Sequence, residues 1–192
     1  MHDSDAFFRG EGAVHESGFR VAEGLRKRGI DFAVVGALAL FHSGYRRFTE
    51  DVDLLVTREG LAAVHDALVG LGYLPKFAGS KALRDTSTGV TIDFLVTGDF
   101  PGDGKPGPLA FPDPAGNFTM IDGLPVLKLP RLVELKLASG LTGGLNRLKD
   151  TADIVEAVKR IPLDESLAPE LHPYVRAKYL EIVAAVVRDE DC

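Results

Sequence analysis

Three aspartates sit where carboxylates can do chemistry. Asp51 and Asp53 flank Val52 in the run TEDVDLLV, residues 49–56, which reads as a β-strand from its β-branched and apolar residues. Residues two apart on a strand share a face, so these two acids point together while Val52 and Leu54 point into a core. Carboxylates held side by side repel unless a proton or a cation lies between them. Hard oxygen ligands that leave room for water and phosphate suit Mg²⁺ or Mn²⁺. The third acid, Asp93, interrupts the apolar run VTIDFLV at 90–96. Ile92, Phe94 and Val96 take one face of that strand; Thr91, Asp93 and Leu95 take the other. A charge so placed is costly without a partner, and a neighbouring strand bearing Asp51 and Asp53 would supply a shared cation. The plainer alternative for each is a solvent-facing acid on an amphipathic strand.

Other residues fit a phosphate ligand. Gly36 closes the apolar run DFAVVG just before an Ala/Leu-rich helix, and a glycine there lets backbone approach phosphate closely. Arg46 and Arg47 precede the acidic strand, and guanidinium grips phosphate in bidentate fashion. Thr49 is placed to orient Arg47 or a phosphate, although strands favour threonine in any case. Lys136 lies in LVELKLA, a helix apolar nearly all round and therefore buried. Its ammonium either faces a cleft or snorkels to water. Asp150 follows Lys149 at a helix start, where the dipole alone favours a carboxylate. His42 reads as a structural or surface residue rather than a catalytic one.

These residues need elements to hold them. The spacing predicts a helix over 12–28 with Gly29 as its C-cap, a strand at 31–36 and a helix from 37 to 42. The acidic strand follows, then a helix over 58–71, strands near 73–77, 83–86 and 90–96, and strand character over 118–126. Residues 97–116, rich in Gly, Pro and Asp, read as a long surface loop. From Pro130 the pattern turns helical, over 130–139, 146–160 and 173–188. The fold class expected is α/β or α+β: a small mixed sheet flanked by helices, with a helical C-terminal part. A soft boundary near residue 128 divides a core, 1–128, from the helical part, 129–192, packed on it.

The chain has 192 residues and a net charge of -6, with 22 Lys+Arg against 28 Asp+Glu. That balance excludes a generic nucleic-acid coat, because nonspecific phosphate binding needs a net basic surface. Arg20, Arg26, Lys27 and Arg28 could form a local basic patch or the solvated face of a helix. The one cysteine, Cys192, allows no intramolecular disulfide. The longest strongly apolar run, Phe32 to Phe41, is half of the roughly 20 residues a spanning helix needs, and the acidic-polar start MHDSDAFFRG does not read as a signal peptide. A cytoplasmic protein with no membrane partner is expected.

The stretch VVGALALFHSGYRRFTEDVDLLV with the later TIDFLV resembles the nucleotidyltransferase fold of the DNA polymerase beta superfamily, over about a third of the chain. The spacing Arg47-x-Thr49-x-Asp51-x-Asp53 is most similar to its bacterial branch of AbiEii-type and MenT-type toxins. LVELKLAS and LKDTADIVEAV are similar to that branch as well, where a helical part supplies a lysine and an acid. One departure is Ala37, at a turn position where many relatives carry Gly or Ser, so a hydroxyl that would touch the triphosphate is missing. The resemblance implies metal-dependent transfer of a nucleoside monophosphate from a nucleoside triphosphate to a hydroxyl. Asp51, Asp53 and Asp93 would hold two Mg²⁺ ions, Asp93 nearest the incoming hydroxyl. Gly36, Ala37, Arg47 and Thr49, with Lys136 and Asp150, would bind the nucleotide. RNA, tRNA ends included, is the acceptor implied by the toxin branch, and an antitoxin its partner. Two rivals stay open: a glycosyltransferase using D-x-D for metal and nucleotide sugar, and a binding or regulatory module without turnover on the same scaffold.

Overall fold

The computed structural model describes residues 2–190, and Cys192 lies outside them. In chain order the elements are α1 (His2–Phe8), α2 (Ala13–Arg26), β1 (Phe32–Val35), α3 (Gly36–His42), β2 (Asp51–Val56), α4 (Arg58–Leu68), β3 (Tyr73–Pro75), β4 (Leu83–Asp85), β5 (Thr91–Val96), β6 (Phe118–Ile121), β7 (Leu124–Leu127), α5 (Leu129–Thr142), α6 (Leu148–Val158) and α7 (Pro173–Glu190). Short 3₁₀ turns cover Gly144–Arg147 and Glu165–Glu170. The expected class holds: a mixed sheet flanked by helices. The described residues fall into two compact units. One takes the chain up to His42, 46–97 and 112–127; the other takes 43–45, 98–111 and the chain from 128 onward.

The first unit is built on a seven-stranded sheet of order β3-β4-β5-β2-β1-β7-β6. β2 runs antiparallel to β1 and parallel to β5, with Asp51 opposite Thr91 and Asp53 opposite Asp93. β4 continues antiparallel from β5, and β3 from β4. The burial of β2 and β5 follows their sequence period: Val52, Leu54, Ile92, Phe94 and Val96 are buried, while Asp51, Asp53, Thr91, Asp93 and Leu95 are half-exposed. Helices cover the buried face. A Cβ on Gly18 of α2 would lie 3.2 Å from Leu38 Cδ2 and 3.9 Å from Val52 Cγ2. The acids therefore occupy the sheet face away from α2.

Three local features differ from the expected elements. α1 falls where no element is expected; Phe7 anchors it, with ring centroids 5.2 Å from Phe41 and 5.3 Å from Phe48. Residues 118–126 form two strands rather than one, because Asp122 (φ 51) and Gly123 (φ 79) make a two-residue turn of the type that matches hairpin twist. The acidic strand begins at Asp51, two residues later than expected.

The second unit packs α5, α6 and α7, with Val133, Leu137, Ile154, Ala157, Val175 and Tyr179 fully enclosed. The Gly/Pro-rich stretch has no helix or strand, as expected, but it is pinned. Gly98 N–H donates to Phe111 O at 2.9 Å, Phe111 N–H donates to Asp99 O at 2.8 Å, and the Thr142 hydroxyl donates to Pro101 O at 3.2 Å.

Candidate active site

The sheet register brings the three acids together. One oxygen from each of Asp51, Asp53 and Asp93 lies within 4.8 Å of the others. Mg²⁺ holds oxygens at about 2.1 Å, so opposite ligands stand about 4.2 Å apart; the three carboxylates need little movement to share one ion. Burial raises the Asp93 pKa above its ordinary value, the Asp51 carboxylate adds to that, and Lys76 opposes it. A cation would relieve this stored repulsion. The donor set thus fits a hard divalent ion such as Mg²⁺ or Mn²⁺.

Gly36 is tied to the same cluster. It starts α3 at φ 65, and a Cβ there would lie 2.8 Å from Asp53 Cγ. Only glycine lets the backbone adopt that angle while the Asp53 carboxylate lies against it. Ala37 follows, 2% exposed. The Thr49 hydroxyl donates to Asp51 Oδ1, so it orients an acid of the cluster. Arg47 donates from Nη1 to Phe48 O at 3.1 Å. Arg46 is otherwise engaged: it donates to Phe8 O at 3.1 Å and stacks 5.3 Å over the Phe41 ring.

Lys136 and Asp150 belong to the second unit. Lys136 neither snorkels nor stands alone: its Nζ lies 2.9 Å from Asp150 Oδ1 and 2.8 Å from Asp153 Oδ2. The Ser139 hydroxyl donates to Asp150 at 2.6 Å. Burial works against the charge on Lys136, but Asp153 and Asp150 outweigh it and raise the pKa. Burial likewise opposes the charge on Asp150, while Lys136 and Ser139 pull its pKa down. Asp153 escaped the sequence reading, although it stands three residues from Asp150 on one helix and so shares its face.

Other expectations resolve structurally. His42 is enclosed, with Nδ1 2.9 Å from Asp122 Oδ2. The cations of residues 20–28 each have a partner. Arg20 binds the buried Asp85 at 2.8 Å, Arg26 donates to Gly123 O at 2.7 Å, Lys27 pairs with Glu23 at 2.6 Å and Arg28 donates to Gly24 O at 3.0 Å.

No protein-family model and no curated protein matches this sequence. Among solved structures, the chain is similar to a candidate nucleotidyltransferase from Thermotoga maritima, with a TM-score of 0.50 and 18% identity over 73% of this chain and 95% of that one. A candidate nucleotidyltransferase from H. pylori overlaps 91% of this chain and 94% of its own, with a TM-score of 0.49 and 15% identity. A nucleotidyltransferase-like protein from Paracoccidioides brasiliensis overlaps 82% and 77%, with a TM-score of 0.48 and 17% identity. The Thermotoga likeness shows a shared fold. Identity this low carries no activity across.

Proposed function

We propose that the protein is a metal-dependent nucleotidyltransferase that moves a nucleoside monophosphate from a nucleoside triphosphate to a hydroxyl. The observation that carries this reading is the meeting of Asp51, Asp53 and Asp93 oxygens within 4.8 Å, beside a glycine that no other residue can replace without displacing Asp53. Asp51, Asp53 and Asp93 would hold the divalent ions, Mg²⁺ or Mn²⁺. Ions held there would supply charge neutralisation for an in-line displacement at phosphorus.

The chain's own residues do the rest. Thr49 fixes the Asp51 carboxylate in rotation. Asp93, which the resemblance puts nearest the incoming hydroxyl, would accept its proton. The hydroxyl oxygen forms a bond to the α-phosphorus, the bond from that phosphorus to the bridging oxygen breaks, and pyrophosphate leaves. The backbone at Gly36 and Ala37, with the Arg47 guanidinium, would meet the charge that develops on it. Lys136 and Asp150, which the resemblance implies as nucleotide-binding residues, are proposed as further candidates for that role, and RNA is the first acceptor to try.

The test is incubation with Mg²⁺, nucleoside triphosphates labelled at the α- or the γ-phosphate, and total RNA or cell extract. Label from the α position should enter a macromolecule or small acceptor while γ label leaves as pyrophosphate. Asp51→Asn and Asp53→Asn should lose about 100-fold or more of turnover with the fold kept. Full activity in both variants would contradict the reading.

A further inference from the structure

The sheet register places a cation in line with the acids. β3 and β4 pair Pro75 with Leu83, and the Lys76 N–H donates to Ala82 O at 3.1 Å, carrying that ladder one residue further. β4 and β5 pair Leu83 with Ile92, which sets Ala82 opposite Asp93. β5 and β2 pair Asp93 with Asp53, and β2 and β1 pair Asp53 with Val35, the residue before Gly36. Cross-strand partners share a face. One row therefore runs Lys76, Ala82, Asp93, Asp53, then the strand end that carries Gly36.

Two strand spacings, about 10 Å, separate the Lys76 and Asp93 backbones. Only the Ala82 methyl stands between them, so the four-carbon lysine stem can lie over it. The charge of Lys76 does act on the Asp93 carboxylate. The adjacent row on the same face holds Leu74, Arg84, Thr91 and Asp51. Lys76, Arg84 and Leu74 are exposed. The acids thus have a glycine bend on one flank and two exposed cations with an apolar side chain on the other.

We infer that Lys76, assisted by Arg84, is an acceptor-positioning residue: it binds a phosphate group carried by the acceptor next to its attacking hydroxyl, on the side of Asp93 away from Gly36. This rests on the nucleotidyltransferase reading and adds to it the acceptor's chemistry. A phosphate monoester or phosphodiester fits because the acids repel anions, while the exposed cations Lys76 and Arg84 reverse the local charge at this flank. Two cations suit one or two phosphates and agree with a net charge of -6, which disfavours a long polyanion.

The test uses the full chain, a 5′-fluorescein RNA octamer with a free 3′-hydroxyl, and uridine 5′-monophosphate as competitor, read by anisotropy over a salt series. Lys76→Gln should weaken octamer binding about fivefold and lower the salt slope by about 0.7, the value for one lost single-strand phosphate contact. Lys76→Arg should restore both. Displacement by the monophosphate identifies a small phosphorylated acceptor; its failure to displace the octamer identifies a strand. An unchanged slope in Lys76→Gln, or no binding of either probe to the wild type, overturns the proposal. Mn²⁺ and nucleoside triphosphate binding, measured separately, judges the functional reading and should stay within about twofold of wild type in Lys76→Gln.

Discussion

Asp93 pits stability against the proposed chemistry. Its pKa is raised by burial and by Asp51, with Lys76 opposing. A folded carboxyl that holds its proton more tightly than the unfolded one makes the metal-free protein lose stability as pH rises from the unfolded pKa through the folded one. Asp93→Asn should remove that loss and raise the neutral-pH melting temperature by a few degrees, at about 2–4 °C per kcal/mol, while abolishing turnover; calorimetry across pH 3–7 checks the slope. Gly36→Ala places a methyl against the Asp53 carboxylate at φ 65. It should cost about 1–2 kcal/mol and at least as much activity as Asp53→Asn, read by chemical denaturation and pyrophosphate release. Lys136→Met strands the buried Asp153 and the half-buried Asp150, and should cost about 3–5 kcal/mol. Lys136 contributes its stability below the unfolded lysine pKa and loses it as pH rises through the raised one; Asp150 contributes above the unfolded acid pKa and loses it as pH falls through the depressed one.

At the scale of elements, the acidic strand was legible because a strand's period of two separates Asp51 and Asp53 from Val52 and Leu54 without any tertiary knowledge. Asp93 was legible because an acid breaks an otherwise apolar strand. Lys76 was not, since nothing in residues 73–85 announces that β3 and β4 extend the sheet on the side of β5; register is a tertiary property. The partners of Lys136 were half legible, through the i, i+3 spacing of Asp150 and Asp153. The β6–β7 hairpin carries a signal in Asp122-Gly123, a weak one because the strands on either side are only four residues each. α1 had only the pair Phe7-Phe8 to mark it. Phe7 is 2% exposed in an aromatic cluster with His15, Phe41 and Phe48. Phe7→Ala should therefore destabilise by about 3–5 kcal/mol, checked by the shift of the urea midpoint.

For the molecule as a whole, the first unit alone supplies the geometry that matters most. Its sheet orders Asp53, Asp93 and Lys76 in one row that ends at Val35, the strand end leading into Gly36, and its helices cover the opposite face. The second unit is held by its own apolar core and by the buried Lys136 pair. Among the described residues no helix is long and apolar enough to cross a membrane. The net charge of -6 argues against an extended polyanion grip and is compatible with a site that gathers cations first and phosphate second. Manganese titration followed by electron paramagnetic resonance, in the presence of a nonhydrolysable nucleoside triphosphate analogue, addresses the central claim directly. The wild type should remove Mn²⁺ from the free signal with saturation, and the variant carrying Asp51→Asn, Asp53→Asn and Asp93→Asn should leave it free. Equal Mn²⁺ uptake by both, with both folded, would contradict a metal centre built from these three acids.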